Sequence, residues 1–141
     1  MKSFNIYYES LDQLKIFVET NGIVDNDKLL IQIFTAMTKK EKIKILLQEI
    51  VALFPTASLI GSSTDGEICS GRVSVGKTVV SFTQFEKTKL QTTLIENDTD
   101  YYQVGQVLAN VLLTPSVKLL ITFTDGLECN GEDYLRGVSS V

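Results

Sequence analysis

The sequence predicts an α/β domain: a mixed sheet flanked by helices, with a βαβαβ start, then an antiparallel meander and a further αβα unit. Short apolar runs alternate with segments of helical periodicity, an order typical of α/β folds. Residues 67–96 instead hold strand-like segments rich in Val, Thr and Phe. At 141 residues, the chain has the length of one domain with a substantial core. We therefore expect residues 1–141 to form a single domain.

The first strand and helix are predicted near the N-terminus. Residues 4–8, FNIYY, form a short apolar run typical of a strand. Ser10 and Gln13 have the three-residue spacing of a capping box, which opens a helix. Leu14 and Phe17 then lie on one helical face, so this face is expected to contact the core.

The next two strands flank a second helix. Residues 28–36, KLLIQIFTA, are almost continuously apolar, as in a strand that is covered on both faces. Thr38 and Glu41 repeat the capping-box spacing and predict where the helix begins. Pro55 ends it, and residues 57–61 form a third apolar strand.

A meander is predicted in the middle of the chain. Residues 67–75, 77–85 and 88–96 are strand-like and are separated by turn-forming or charged residues. Because the connections are short, the three segments are expected to pair antiparallel as sequential neighbours.

The last part of the chain predicts helix, strand and helix. Asp98 is the expected N-cap of the first of these helices. Residues 118–123, KLLITF, predict a buried strand, and Asn130 can cap a last helix beginning near Glu132. Because a packed domain rarely ends so soon after a helix begins, we expect the chain to be the N-terminal part of a longer protein.

Composition excludes several classes of function. The net charge is −4 and the basic residues cluster only at 39–44, which argues against nucleic-acid binding and fits a solvated helix face. No apolar run reaches the roughly 18 residues of a membrane helix, and residues 1–10 lack the continuous apolar region of a signal peptide, so we expect a cytoplasmic protein without membrane insertion. The chain has no histidine and therefore no Ser-His-Asp or Cys-His site. No cofactor or metal site is predicted.

A repeat points to the functional site. The segment TDGEIC at 64–69 returns as TDGLEC at 124–129, with Pro55 and Pro115 in the same register. Ligands of open α/β sheets bind beyond the C-terminal ends of the strands, where both turns are expected. If the two strands are neighbours, the turns line one pocket. Its hydroxyls, carboxylates and glycines, which permit positive φ or close backbone approach, suit a small polar ligand, particularly an amine. The candidate ligand-binding residues are Ser62, Ser63, Thr64, Asp65, Gly66, Glu67, Thr124, Asp125, Gly126 and Glu128.

Three alternatives remain open at this point. Asp-Gly after a strand is common turn chemistry, so the aspartates could serve only as local caps of backbone N–H groups. Asp65 and Asp125 could bind Mg²⁺ in a hydrolase or phosphotransfer enzyme. However, Ser63 and Phe123 stand where the nucleophilic aspartate of dehalogenase-like phosphatases would be. Cys69 and Cys129 could form a thiol redox switch.

The two turn regions resemble the N-terminal FIST domain, a bacterial and archaeal sensory module, over nearly the whole chain. The residues that match its first turn are Gly61, Ser63, Thr64, Gly66, Glu67 and Ile68, and those that match its second are Asp125, Gly126, Leu127, Gly131 and Glu132. Ser62 stands where cysteine is frequent in that family, and Asp65 where alanine is frequent, so no thiol role is carried over to this place.

The resemblance implies a sensory domain in signal transduction that is not itself an enzyme. Its ligand would be a small polar molecule, with amino acids proposed. It also implies a C-terminal FIST domain and an output domain, such as a diguanylate cyclase or a histidine kinase, as partners in the parent chain.

Overall fold

The computed structural model describes residues 1–96 and 100–141. The chain divides into two compact units, Met1–Leu90 and Gln91–Val141, which are described separately. The predicted N-cap Asp98 lies outside the described residues.

The first unit contains a four-stranded mixed sheet, two helices and a small hairpin. The order along the sheet is β1, β6, β2, β3; β6 is antiparallel to both of its neighbours, and β2 and β3 are parallel. The predicted α/β class is therefore confirmed. The elements in chain order are β1 (Lys2–Tyr7), α1 (Leu11–Thr20), β2 (Leu29–Thr35), α2 (Lys40–Leu53), β3 (Ser58–Ser63), β4 (Glu67–Cys69), β5 (Arg72–Ser74) and β6 (Thr78–Gln84).

The core of this unit lies between the sheet and helices α1 and α2. Alternate residues of β2 and β6 point to one face of the sheet and pack against the helices. Phe82 of β6 lies at the centre, with the rings of Phe17 and Phe54 at centroid distances of 6.4 and 5.4 Å. The buried cluster consists of Leu14, Ile23, Leu29, Ile31, Ile33, Leu46, Ile50, Phe54, Val80 and Phe82. The continuous apolar run at residues 28–36 thus forms a strand as predicted, and this strand lies between β6 and β3 in the sheet.

The close approach of β2 and β3 explains one glycine. Gly61 is paired with Ile33 in the parallel register. A Cβ atom at Gly61 would lie 2.4 Å from the carbonyl oxygen of Ile33, too close for any side chain. Gly61 therefore sets the spacing of the two strands just before the first TDG turn.

Two predicted helix starts have different outcomes. Ser10 caps α1 as expected: its Oγ accepts a bond from the Gln13 N–H, and Gln13 Oε1 accepts from the Glu9 N–H. The predicted cap of α2 at Thr38 is wrong. Lys39 is the N-cap, with extended backbone and no side-chain hydrogen bond to the helix. The capping-box spacing was one residue out of register with the actual helix start.

The predicted meander is wrong in its first and third segments. Residues 67–75 form the hairpin β4–β5 rather than one strand, because Ser70 and Gly71 have φ of 51° and 75° and reverse the chain. Residues 88–96 form no strand in the described part of the segment. Strand β6 already pairs with β1 on one side and β2 on the other, so no free edge remains for a neighbour that follows it.

The second unit contains helices α3 (Tyr101–Leu112) and α4 (Gly131–Val138). Asp100 caps α3 by accepting the Gln103 N–H at 3.0 Å, and Asn130 caps α4 as predicted, accepting from the Glu132 and Asp133 N–H groups. The two helices contact through glycines. A Cβ atom at Gly137 would lie 2.0 Å from the Tyr102 carbonyl oxygen, and one at Gly105 would lie 2.3 Å from that of Tyr134.

The buried strand predicted at residues 118–123 is wrong. The segment forms no strand, and Leu119 is 75% exposed. A strand needs a partner to satisfy its backbone groups. In the described part of the second unit, the regular elements are both helices, so this unit offers no strand for pairing.

None of the helices in the described part of the chain is long and apolar enough to cross a bilayer.

Candidate functional site

The first TDG turn lies at the C-terminal ends of the parallel strands β2 and β3. Ser63, the last residue of β3, is in register with Thr35, the last of β2. The Thr64 N–H then donates to the Thr35 carbonyl oxygen at 2.9 Å, so the turn is tied to the end of β2. This is the edge of an open α/β sheet at which ligands commonly bind.

A buried carboxylate holds the turn in place. Glu67 is 1% exposed, and its Oε1 accepts a hydrogen bond from the Thr64 hydroxyl at 2.9 Å. Its Oε2 accepts the Lys77 N–H at 3.1 Å, and its carbonyl oxygen accepts the Ser74 hydroxyl at 3.2 Å. A buried carboxylate is tolerated only when such donors replace water. Glu67 therefore joins the turn, hairpin β4–β5 and the start of β6.

A buried polar pair lies where β2 ends and β6 begins, and the sequence did not predict it. Thr35 and Thr78 are both 4% exposed, and their hydroxyl oxygens are 2.6 Å apart. Thr35 Oγ1 also accepts the Met37 N–H at 3.1 Å. Both threonines lie at the ends of apolar strands, and the composition of these strands predicts only that they pack in the core. Only the antiparallel register, which pairs Thr35 with Thr78, reveals the contact.

The remaining predicted residues of this turn form a solvent-exposed rim. Ser63, Asp65 and Gly66 are exposed, whereas Ser62 is half-buried and its hydroxyl donates to the Ser63 carbonyl oxygen at 3.0 Å. Within the described chain, the Asp65 carboxylate makes no hydrogen bond or ion pair. The first turn therefore presents a free carboxylate to solvent above a fixed base.

The second TDG turn has a different internal arrangement. Asp125 Oδ1 accepts the Leu127 N–H at 2.8 Å and the Glu128 N–H at 3.2 Å, so this carboxylate caps its own turn. The Cys129 N–H donates to the Asp125 carbonyl oxygen at 3.1 Å. Thr124, Gly126 and Glu128 are exposed. The two identical TDG sequences therefore differ in local structure: the Asp65 carboxylate is free, whereas the Asp125 carboxylate accepts hydrogen bonds from the backbone of its own turn.

The ten predicted residues fall into two groups. Ser62 to Glu67 lie together in the first unit, and Thr124 to Glu128 lie together in the second. That both groups line one pocket stays a prediction. The glycines of the TDG turns were expected to allow either a positive φ or a close approach of the backbone to a ligand. Gly66 and Gly126 do not have a positive φ; the glycines that do are Gly22, Gly71 and Gly76. A Cβ atom at Gly126 would meet no atom within 4 Å, and one at Gly66 would meet only the Ser74 carbonyl oxygen, at 3.6 Å.

The structure also shows the side chains on which the redox-switch and metal-binding alternatives depend. Cys69 is buried and Cys129 is half-buried, and both are free thiols. Among residues 1–96 and 100–141, no three His, Cys, Asp or Glu side chains are grouped in a way that could hold a metal ion.

Comparison with protein families gives a match over most of the chain. The model for the FIST N domain matches residues 29–141. Neither the curated proteins nor the solved structures contain a match. The matched range includes both TDG turns and begins at the first residue of β2.

Proposed function

Because the chain belongs to the FIST N domain family, whose members are sensory domains of signalling proteins, we propose that it binds a small polar ligand and controls an output domain. The ligand class we propose is amino acids and related amines, and the compartment is the cytoplasm. The observation that carries the proposal is the first TDG turn, where a free carboxylate and hydroxyls stand on a buried, hydrogen-bonded base.

The chemistry of this rim favours a cation over an anion. The Asp65 carboxylate can pair with a ligand ammonium group, and a charge-assisted bond of this kind is stronger than one between neutral groups. The exposed hydroxyl of Ser63 can donate to or accept from the ligand. Exposed backbone near Gly66 leaves room for close approach, since an added methyl group would meet only one atom, at 3.6 Å.

The second TDG turn contributes in a different way in this proposal. Asp125 is occupied by its own backbone, so its role is to fix the turn. Thr124 and Glu128 are the exposed side chains of this turn that can contact a ligand. The two turns are therefore tested by separate substitutions.

Thermal-shift measurements against the standard amino acids, with and without N-acetylation, test the proposal. A ligand that binds only the folded state raises stability by RT ln(1 + [L]/Kd), about 2.7 kcal/mol at a ligand concentration of 100 Kd. We expect a free amino acid to raise Tm and its N-acetylated form to have no effect, since acetylation removes the ammonium charge.

Matched variants locate the contact. Asp65→Asn is expected to abolish the shift without changing the Tm of the ligand-free protein, whereas Asp27→Asn, at another exposed aspartate of the same unit, is expected to retain it. Glu128→Gln tests the second turn in the same assay. A panel in which no amine shifts Tm, or a shift that survives Asp65→Asn, would refute amine recognition by the first turn.

A further inference from the structure

Helix α2 carries an apolar groove on its outer surface. The groove is lined by Ile43, Leu47 and Val51, which are spaced four residues apart and therefore follow one side of the helix. Val51 is 51% exposed. Leu46 and Ile50 are buried in the core, and Leu47 packs partly against the same core, so the groove directly adjoins the core-facing side of the helix. Lys40, Lys44, Gln48 and Ala52 complete the lining of this surface, which is called the α2 groove.

One end of the α2 groove is strongly positive. Lys40 and Lys44 line it, and Lys39 and Lys42 lie in the same first turns. None of these lysines has an ion-pair partner in the described chain. The positive end of the helix dipole lies here too, and the N-cap Lys39 gives it no side-chain acceptor. Glu41 is the acidic residue of this first turn, so four lysines outnumber one carboxylate here although the chain as a whole has a net charge of −4.

We propose that the α2 groove docks an amphipathic helix of a partner protein, with an apolar stripe that fills the groove and carboxylates that meet the lysine end. Such helix-in-groove docking uses apolar side chains at helical spacing as anchors. Opposite charge at one end would fix the direction in which the partner helix lies and would speed association.

Two other occupants fit the charges less well. A second copy of α2 has one acidic residue in its C-terminal half, Glu49, and its carboxylate already accepts a hydrogen bond from the Tyr8 hydroxyl. An anionic bilayer would attract the lysines, but it would repel the chain as a whole, and the groove lacks the aromatic residues common on membrane-surface helices. An amphipathic helix with carboxylates can cover the apolar residues of the groove and also pair with its lysines.

The test uses a displayed library of helical peptides, in which an apolar stripe is constant and the flanking positions are randomised. Selection on the full chain is expected to enrich Asp and Glu beside the stripe. An enriched peptide is then synthesised, and its affinity is measured by fluorescence anisotropy. We expect Val51→Asp and Lys44→Glu each to weaken binding about tenfold, and higher ionic strength to weaken it as well.

The same helix supplies matched controls. Ile45 is 56% exposed but does not line the groove, so Ile45→Asp and the oppositely charged Ile45→Lys are expected to leave the affinity within about twofold. Circular dichroism confirms that each variant is folded. No enrichment, enrichment of basic or neutral flanks, or equal losses at Ile45 and Val51 would overturn the proposal. Concentration-dependent dimerisation that Val51→Asp abolishes, or co-flotation with phosphatidylserine vesicles, would assign the groove to one of the other occupants instead.

Discussion

The hydroxyl of Thr64 donates a hydrogen bond to the carboxylate of Glu67, and this contact connects the exposed TDG turn to the interior of the first unit. Thr64 is half-buried, whereas Glu67 is almost completely removed from solvent. The turn residue between them that presents a carboxylate to solvent is Asp65. The two acidic residues of TDGE therefore have opposite roles: Glu67 is structural, and Asp65 is available to a ligand.

Replacing Glu67 by alanine is expected to destabilise the protein strongly. The change removes the acceptor of the part-buried bonds from the Thr64 hydroxyl and the Lys77 N–H, and a donor that loses its partner away from solvent costs about 1–3 kcal/mol. Glu67→Gln is expected to cost less, because its amide oxygen can still accept one of these bonds. Urea unfolding followed by circular dichroism measures both. Asp65→Ala is the control, with an expected effect within about 0.5 kcal/mol; an equal loss for Asp65→Ala and Glu67→Ala would contradict the division of roles.

Adding a methyl group at Gly137 is expected to separate α3 from α4. The new Cβ atom would lie 2.0 Å from the Tyr102 carbonyl oxygen, which is backbone and cannot rotate away. Overpacking of this kind costs about 1–3 kcal/mol or more. Gly131→Ala, in the first turn of the same helix, meets no atom within 4 Å and is the control. Hydrogen exchange of the α3 and α4 amides reports the effect locally. Unchanged protection in Gly137→Ala would show that the close contact is absent in solution.

An aspartate at position 39 is expected to stabilise α2. Lys39 has the extended backbone of an N-cap but no side-chain bond to the helix, and its charge opposes the helix dipole. Asp at an N-cap accepts a first-turn N–H and is worth about 1 kcal/mol over a residue that does not cap. We expect Lys39→Asp to raise Tm by several degrees in calorimetry. Lys15→Asp, a charge reversal within α1, is the comparison that separates capping from the general change in charge. A lower Tm for Lys39→Asp would mean that this lysine stabilises the helix.

Local signals in the sequence were sufficient for much of the fold. Ser10 and Asn130 cap their helices through bonds that span two or three residues, so their spacing alone identifies them. The apolar run of β2 predicts a strand covered on both faces, since covering both faces removes the need for polar alternation. The position of the first TDG turn at a strand end also follows from the local pattern.

Contacts between distant residues could not be read in this way. Strand β6 pairs with β1 and β2, which are far away in sequence, and this pairing is what excludes the predicted meander. The Asp25 carboxylate accepts the N–H groups of Thr56 and Ala57 beyond Pro55, a cap that no local motif reports. The burial of Glu67 likewise depends on Lys77, ten residues away. In the sequence alone, such residues cannot be distinguished from ordinary polar loop residues, because their partners are set by the topology.

The hydroxyl of Tyr8 is expected to ionise at unusually high pH. Burial, the hydrogen bond to Glu49 and the negative charge of Glu49, in that order of size, together raise the pKa of Tyr8 from 10.0 to about 12. Because the folded pKa is above the unfolded one, the stabilisation is complete below pH 10 and is lost as the pH rises toward 12. The phenolate absorbance of the wild type minus that of Tyr8→Phe gives this titration directly.

Replacing Glu49 by glutamine separates the effect of the Glu49 charge on the pKa of Tyr8 from the effect of burial. In Glu49→Gln the charge is lost while burial remains, so the pKa of Tyr8 is expected to fall but to stay above its ordinary value of 10.0. Glu19→Gln, on α1, is the control and should leave the Tyr8 titration unchanged. The wild type should also lose more stability than Tyr8→Phe between pH 10 and 12, measured by urea unfolding. Parallel losses in the two proteins would show that Tyr8 has the same pKa in the folded and unfolded states.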